Sequence, residues 1–351
     1  MKAKKSQIDK YIVYLEKEMQ LKKQYLKNIN IIYIGGGTPS SIGIKNLTLL
    51  FNNLKKYINF DNLIEFSIEC NPKDITYELV ELFKINKVNR ISLGIQTLNN
   101  KKLKFLNRNH TKKDVLNCLN ILKKCNFKNV NADLMYGLPK DNFYLLKKDF
   151  KTFRKYNLTH ISCYSLILEE KTILYNQYIK GKFKSFDPDK EAKLYYKIQS
   201  FLKKINYNQY ELSNFSLRGY KCLYNLNTWD NNQYIGIGTS ASYYIDNKRY
   251  TNIKHIQNYF DNLDNNKLTF YEEEVITKDI KMYEEIMLGL RKTNGINVIN
   301  FKNKFECDIF ETFPNINYLI NISYLILKDN QLFIPSDKLY VSNSVINKIL
   351  D

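Results

Sequence analysis

Arginine is rare in this chain: Arg90, Arg108, Arg154, Arg218, Arg249 and Arg291 are the only six, within a basic total of 54 and a net charge of +19. Recognition of backbone phosphate favours arginine's planar fork, and here the basic residues are mostly lysines spread over every segment instead of one stripe. Nucleic-acid binding as the main function is excluded on that pattern. Cysteine is sparse and scattered: Cys70, Cys118, Cys125, Cys163, Cys222 and Cys307 never fall within four residues of each other. That spacing excludes a metal knuckle, and Cys118 and Cys125 read as small apolar groups on one helix face. No apolar run is long enough to span a bilayer, and residues 1–30 are lysine-rich without a signal-peptide core. A cytoplasmic protein with no integral membrane segment is expected.

Glycine is also scarce, at 12 residues, yet three stand together as Gly35-Gly36-Gly37 directly after the β-branched run Ile31-Ile32-Tyr33-Ile34. Three residues without a Cβ carry an entropic cost. Their use is to let backbone N–H groups approach a polar or anionic group closely. Thr38 and Pro39 follow, and proline ends the strand pairing because it has no N–H.

After a charged helix at 7–27, strand and helix patterns alternate at intervals of about thirty residues. Strands are expected at 30–35, 63–69, 89–95, 128–134, 159–167 and 208–212, with helices near 44–57, 76–86, 112–125, 143–156 and 189–205. This alternation predicts a parallel sheet wrapped by helices. Pro39, Pro72 and Pro139 each follow a strand, in loops that contain Glu69-Cys70-Asn71 and Asp133-Leu134-Met135-Tyr136-Gly137. In parallel α/β folds the carboxyl ends of the strands form the ligand rim, so these polar groups converge on one site. Past residue 215 the pattern changes to turns around Trp229 and Gly236-Ile237-Gly238, then to a small helix-plus-wing region.

These strings together resemble the radical S-adenosylmethionine family of oxygen-independent coproporphyrinogen III oxidases (HemN), and in particular its HemW branch, regarded as heme chaperones. The resemblance runs from about residue 8 to the C-terminus. It rests on Gly-Gly-Gly-Thr-Pro-Ser at 35–40, Ile-Glu-Cys-Asn-Pro at 68–72, Asn-Arg-Ile-Ser-Leu-Gly-Ile-Gln at 89–96 and Asn-Arg-Asn-His at 107–110. It continues through Asp-Leu-Met-Tyr-Gly-Leu-Pro at 133–139, Tyr-Glu-Leu-Ser-Asn-Phe at 210–215 and Gly-Leu-Arg-Lys-Thr-Asn-Gly at 289–295.

The resemblance implies an α/β fold: a partial (β/α)6 radical-SAM barrel over 1–215, a connecting segment over 216–270, and a small α+β, winged-helix-like C-terminal domain over 271–351. It implies that Gly36, Gly37 and Thr38 contact the methionine end of S-adenosylmethionine, and that Glu69, Gln96, Arg108 and Asp133 hold its polar groups. A guanidinium at Arg108 suits a carboxylate, and a carboxylate at Glu69 or Asp133 can accept from ribose hydroxyls. Heme or porphyrin is the implied ligand, and a heme-accepting client protein the implied partner. The family alternative is the oxidase itself, which decarboxylates coproporphyrinogen III oxidatively to protoporphyrinogen IX. A cluster-free binding module is the third reading.

Two departures stand out. Family members begin with a strand and a Cys-x-x-x-Cys-x-x-Cys loop that holds a [4Fe–4S] cluster, and none of the six cysteines here has that spacing. The motif is expected just before Met1, which implies either an initiator further upstream or a truncated chain whose first strand is missing and whose 31–35 strand has an unpaired edge. Secondly, chaperone-type relatives carry His-Asn-x-x-Tyr-Trp where this chain has Tyr224-Asn225-Leu226-Asn227-Thr228-Trp229. Tyr224 therefore stands where a heme-contacting histidine is expected, and tyrosinate can ligate ferric heme. Of the three histidines, His110 falls beside Arg108, and His160 and His255 read as structural or exposed.

Overall fold

The computed structural model describes residues 5–351; residues 1–4, including the Met1 on which the expectation about the start rests, lie outside the described residues. Five strands build the centre: β1 (Ile31–Ile34), β2 (Glu65–Cys70), β3 (Arg90–Gln96), β4 (Val130–Tyr136) and β5 (His160–Ser165). They pair in parallel and in sequence order. Helices Ile44–Lys55, Tyr77–Ile85, Lys112–Lys124 and Phe143–Lys155 fill the intervals, with Pro188–Lys204 after β5.

The sheet ends differently from the simple alternation. The segment expected as a sixth strand at 208–212 is a hairpin, β6 (Asn208–Gln209) and β7 (Asn214–Ser216), and β7 pairs antiparallel with β5. A tight turn can join only antiparallel neighbours, and Glu211 closes this one by accepting the Ser213 N–H at 2.8 Å. β1 stands at the other end of the sheet. Helix Leu223–Trp229 packs beside it.

Side chains alternate along the strands. Phe66, Ile68, Ile91, Leu93, Ala132, Leu134, Ile161 and Cys163 join one core with Phe51, Val80, Val115 and Phe150 of the helices. The intervening positions, among them Glu65, Ser67, Arg90, Ser92, Asn131, His160 and Ser162, are polar and just as buried. Helix ends show how the chain manages with few glycines. Asn126, Asn157 and Asn206 each take a left-handed conformation (φ 52°, 58° and 69°) just past a helix, where asparagine is the usual substitute for glycine. At the starts, Thr111 and Asp114 form a reciprocal capping box and Thr76, Asn142 and Asp187 accept from first-turn N–H groups.

Helix Lys5–Leu21 ties the first and middle parts together. Its Glu18, fully buried, accepts from Lys22 Nζ, Tyr259 Oη and Asn252 Nδ2, each at 2.7 Å, and from the Gly238 N–H at 2.7 Å. Residues read as turns in sequence form a three-stranded antiparallel sheet, β8 (Ser242–Ile245), β9 (Lys248–Asn252) and β10 (Phe270–Val275). The C-terminal region places helix Lys278–Gly289, β11 (Ile296–Asn297) and three helices ahead of the wing hairpin β12 (Ile326–Lys328) and β13 (Gln331–Phe333), closing with helix Ser342–Leu350. This is the winged-helix-like arrangement expected, and it shares one hydrophobic core with the barrel.

Candidate cofactor site

The rim begins at the three glycines, and each is a glycine for its own reason. A Cβ at Gly35 would lie 2.7 Å from the Tyr33 ring and 3.0 Å from Glu69 Oε1. Gly36 and Gly37 adopt φ of 83° and 82° and face open space. That conformation strains other residues. Glu69, at the end of β2, accepts from Tyr33 Oη at 2.8 Å and from the Gly36 N–H at 3.2 Å. Thr38 is exposed, and its carbonyl accepts from Ser41 N and Oγ at 3.0 and 2.7 Å.

At the end of β3, Arg108 Nη2 donates to the Gly94 carbonyl at 2.9 Å, and a Cβ at Gly94 would lie 2.6 Å from that nitrogen. Gln96, with φ of 64°, turns its amide toward the same point. Arg108 Nε is buried without an acceptor. Burial lowers the Arg108 pKa and the nearby Asp133 carboxylate opposes that shift. His110 faces inward and contacts the Ile95 carbonyl at 3.1 Å.

Asp133, on β4, is held from below. Asn131 Nδ2 donates to it at 2.7 Å and to Ser92 Oγ at 2.7 Å, and Ser92 Oγ lies 3.3 Å from the carboxylate. With the amide in that orientation, Asn131 Oδ1 accepts from His160 Nδ1 at 2.6 Å and Tyr210 Oη donates to His160 Nε2 at 2.7 Å. Burial raises the Asp133 pKa to about 6 against the pull of Asn131 and Arg90, and the Glu69 carboxylate adds to the rise. Burial and the Arg90 charge push His160 well below the usual histidine range, so it is neutral. Arg90 is 2% exposed and its Nε has no partner among the described residues.

Gly36, Glu69, Gln96, Arg108 and Asp133 therefore lie around one mouth, with Gly37 and Thr38 on its exposed lip. Tyr33, Arg90, Gly94, Asn131 and His160 support it, and sequence reading had not assigned them to the site. The alternation rule marks Tyr33 and Asn131, since each faces inward beside a rim carboxylate. Tyr224 stands beside this support: its ring stacks on Tyr33 at 4.3 Å and 21°, and burial raises its pKa.

An open glycine loop, an orphaned guanidinium nitrogen and two carboxylates fit the carboxylate, amine and ribose of S-adenosylmethionine. The cysteines do not fit a [4Fe–4S] cluster. Cys70, Cys118, Cys163 and Cys222 are buried and Cys125 and Cys307 are half-buried. Burial raises the thiol pKa of Cys70, Cys118, Cys163 and Cys222. Among the described residues no three His, Cys, Asp or Glu side chains gather as a metal site.

A family model described as the radical SAM superfamily matches residues 3–153, and one described as the HemN C-terminal domain matches residues 276–336. Among solved structures, coproporphyrinogen III oxidase (HemN) of Escherichia coli superposes with a TM-score of 0.84 over 99% of this chain and 84% of its own, at 18% identity. The parallel sheet, the glycine loop and the C-terminal wing define a radical-SAM protein of HemN architecture. Curated relatives narrow the class. The heme chaperone HemW of Lactococcus lactis is 38% identical over 98% of this chain and 90% of its own length. That of Bacillus subtilis is 33% identical over 88% and 82%. The chain belongs to the HemW family.

Proposed function

We propose that this protein is a heme chaperone: it binds heme, carries S-adenosylmethionine at the strand-end rim, and hands heme to a client protein in the cytoplasm. The observation that carries this reading is the 38% identity to a heme chaperone across 98% of the chain. Among the described residues no helix is long and apolar enough to cross a membrane.

At the rim, Gly36 and Gly37 let a carboxylate approach the backbone closely, Gly36 giving its own N–H to Glu69, and Arg108 adds a charge-assisted donor through the Nε that has no partner among the described residues. Glu69 and Asp133 accept from amine and hydroxyl groups. Gln96 turns its amide toward the same ligand. Bound there, S-adenosylmethionine supplies a sulfonium and an activated carbon–sulfur bond. The division into a barrel at 1–215, a connection at 216–270 and a C-terminal unit at 271–351 goes with this reading, with cofactor binding confined to the first.

The test is a titration of purified protein with hemin, followed by mixing with a heme-free acceptor. A saturable Soret shift and passage of heme to the acceptor are expected. A flat titration contradicts the reading. The oxidase alternative is checked in the same preparation by supplying coproporphyrinogen III anaerobically with reductant, where formation of protoporphyrinogen IX would replace the chaperone assignment.

A further inference from the structure

Away from the rim, at the amino ends of the strands, two cavities adjoin. The larger, of about 560 Å³, is bounded by Glu65, Asn89, Asn129 and Asn208 at the strand starts and by Leu223 and Leu226 of the short helix beside β1. The smaller, of about 300 Å³, lies between the turns before β4 and β5. Leu217 and Tyr220 belong to the walls of both. The larger is within the range of small-molecule sites, roughly 300–1,000 Å³.

Their charge is one-sided. Lys123, Lys128 and Arg154 line the smaller cavity, and Arg218 and Lys221 the larger. None of these five is in an ion pair among the described residues. The single carboxylate in either wall, Glu65, is already engaged: it accepts from Leu223 N at 2.6 Å, from Ser67 Oγ at 2.9 Å and from Cys222 Sγ at 3.5 Å. The smaller cavity mixes Leu119, Leu122 and Phe127 with Asn126, Asn157 and Thr159; the larger is mostly apolar, through Ile64, Leu217, Leu223 and Leu226, so a fully hydrated polyanion would leave that wall wet. A flat apolar molecule bearing carboxylates meets both demands, its face on Leu217, Tyr220, Leu223 and Leu226 and its acids toward the rim of cations. Among the described residues no His, Cys or Met lines either cavity, and Tyr156 and Tyr220 are the wall side chains whose phenol oxygens could meet a metal.

We propose that these adjoining cavities form a porphyrin site that grips the macrocycle and its propionates and offers iron no imidazole, thiolate or thioether. The proposal rests on the heme-chaperone reading and locates its cargo at the opposite end of the barrel from the cofactor rim. Recognition of the organic ring alone also suits a protein that must release its cargo.

The test compares hemin with metal-free protoporphyrin IX by absorbance and fluorescence titration of the full chain at 0.15 M salt. Both are expected to bind with affinities within about threefold of each other. Arg218→Glu with Lys221→Glu should weaken both at least tenfold. Lys302→Glu with Lys328→Glu, an equal charge change on the C-terminal region, should leave both unchanged, with circular dichroism confirming that each variant is folded. Equal binding by wild type and the Arg218/Lys221 variant would overturn the site while leaving heme binding intact. Binding of hemin without protoporphyrin IX would overturn it in favour of iron ligation. An RNA oligonucleotide that displaces porphyrin and loses affinity in the same variant would make this face a nucleic-acid surface instead. No binding of either porphyrin by wild type would remove the chaperone reading as well.

Discussion

Arg108 and Gly94 are matched: the guanidinium donates to the Gly94 carbonyl at 2.9 Å through the space where any other residue would place its Cβ, 2.6 Å from Nη2. The glycine in this strand end is therefore set by the arginine that lies across it, and the arginine's free Nε is directed by the same contact.

Gly94→Ala should displace Arg108 and weaken S-adenosylmethionine binding as Arg108→Ala does, by about 1.5–3 kcal/mol for a hydrogen bond to a charged group. Calorimetric titration of both variants and their double mutant checks this. The double mutant should be no weaker than Arg108→Ala alone, because both substitutions remove one interaction.

Asp133 gives a pH dependence of two opposite signs. Below its pKa of about 6 it gains a proton and can no longer accept freely from the ligand, so S-adenosylmethionine affinity should fall as pH drops through 6. For folding the sign reverses. A carboxyl whose folded-state pKa is raised contributes stability that is complete below its unfolded value near 4 and is lost as pH rises through 6. Affinity and thermal stability measured from pH 4.5 to 7.5 should therefore move in opposite directions, and Asp133→Asn should flatten the affinity profile.

Tyr224→Phe should change hemin affinity less than about twofold, because the stacked ring on Tyr33 remains and the phenolate is not used. Tyr224→Ala removes the aromatic pair, worth about 0.5–1.5 kcal/mol beyond its buried area, and should lower thermal stability. A loss of the Soret shift in Tyr224→Phe would make the tyrosine an iron ligand.

Glu18→Ala should be among the most damaging single substitutions outside the core. It strands the buried ammonium of Lys22 and four further donors, from Asn252, Thr269, Tyr259 and the Gly238 N–H. Breaking one side of a buried pair costs about 3–5 kcal/mol. Chemical denaturation followed by Trp229 fluorescence and circular dichroism reads the change.

The parts of the fold that could be read in advance are those where local chemistry and global fold agree. Apolar runs located β1 to β5 within a few residues, Pro39, Pro72 and Pro139 marking the ends of β1, β2 and β4, and the polar residues near the strand ends located the rim. The hairpin at Asn208–Ser216 reads in sequence as one strand because Tyr210 and Leu212 continue an apolar run through what is a turn. The β8–β10 sheet was invisible because its stability comes from Glu18 and Tyr259, more than 200 residues apart in sequence. Asn126, Asn157 and Asn206 carried a helix-stop signal that is easily missed where asparagine is abundant. Arg90, Asn131 and His160 lie at the strand starts, away from the loops that mark the rim, and only the register of β3, β4 and β5 shows that they face the lumen together.

The central claim, that separate strand ends build one cofactor cradle, is tested most directly by titrating S-adenosylmethionine into the chain and into Glu69→Gln, Arg108→Ala and Asp133→Asn. One saturable site in wild type, weakened at least tenfold by each substitution in folded protein, is the predicted result. Wild-type binding that none of the three substitutions alters would show that the ligand sits elsewhere and would contradict the account.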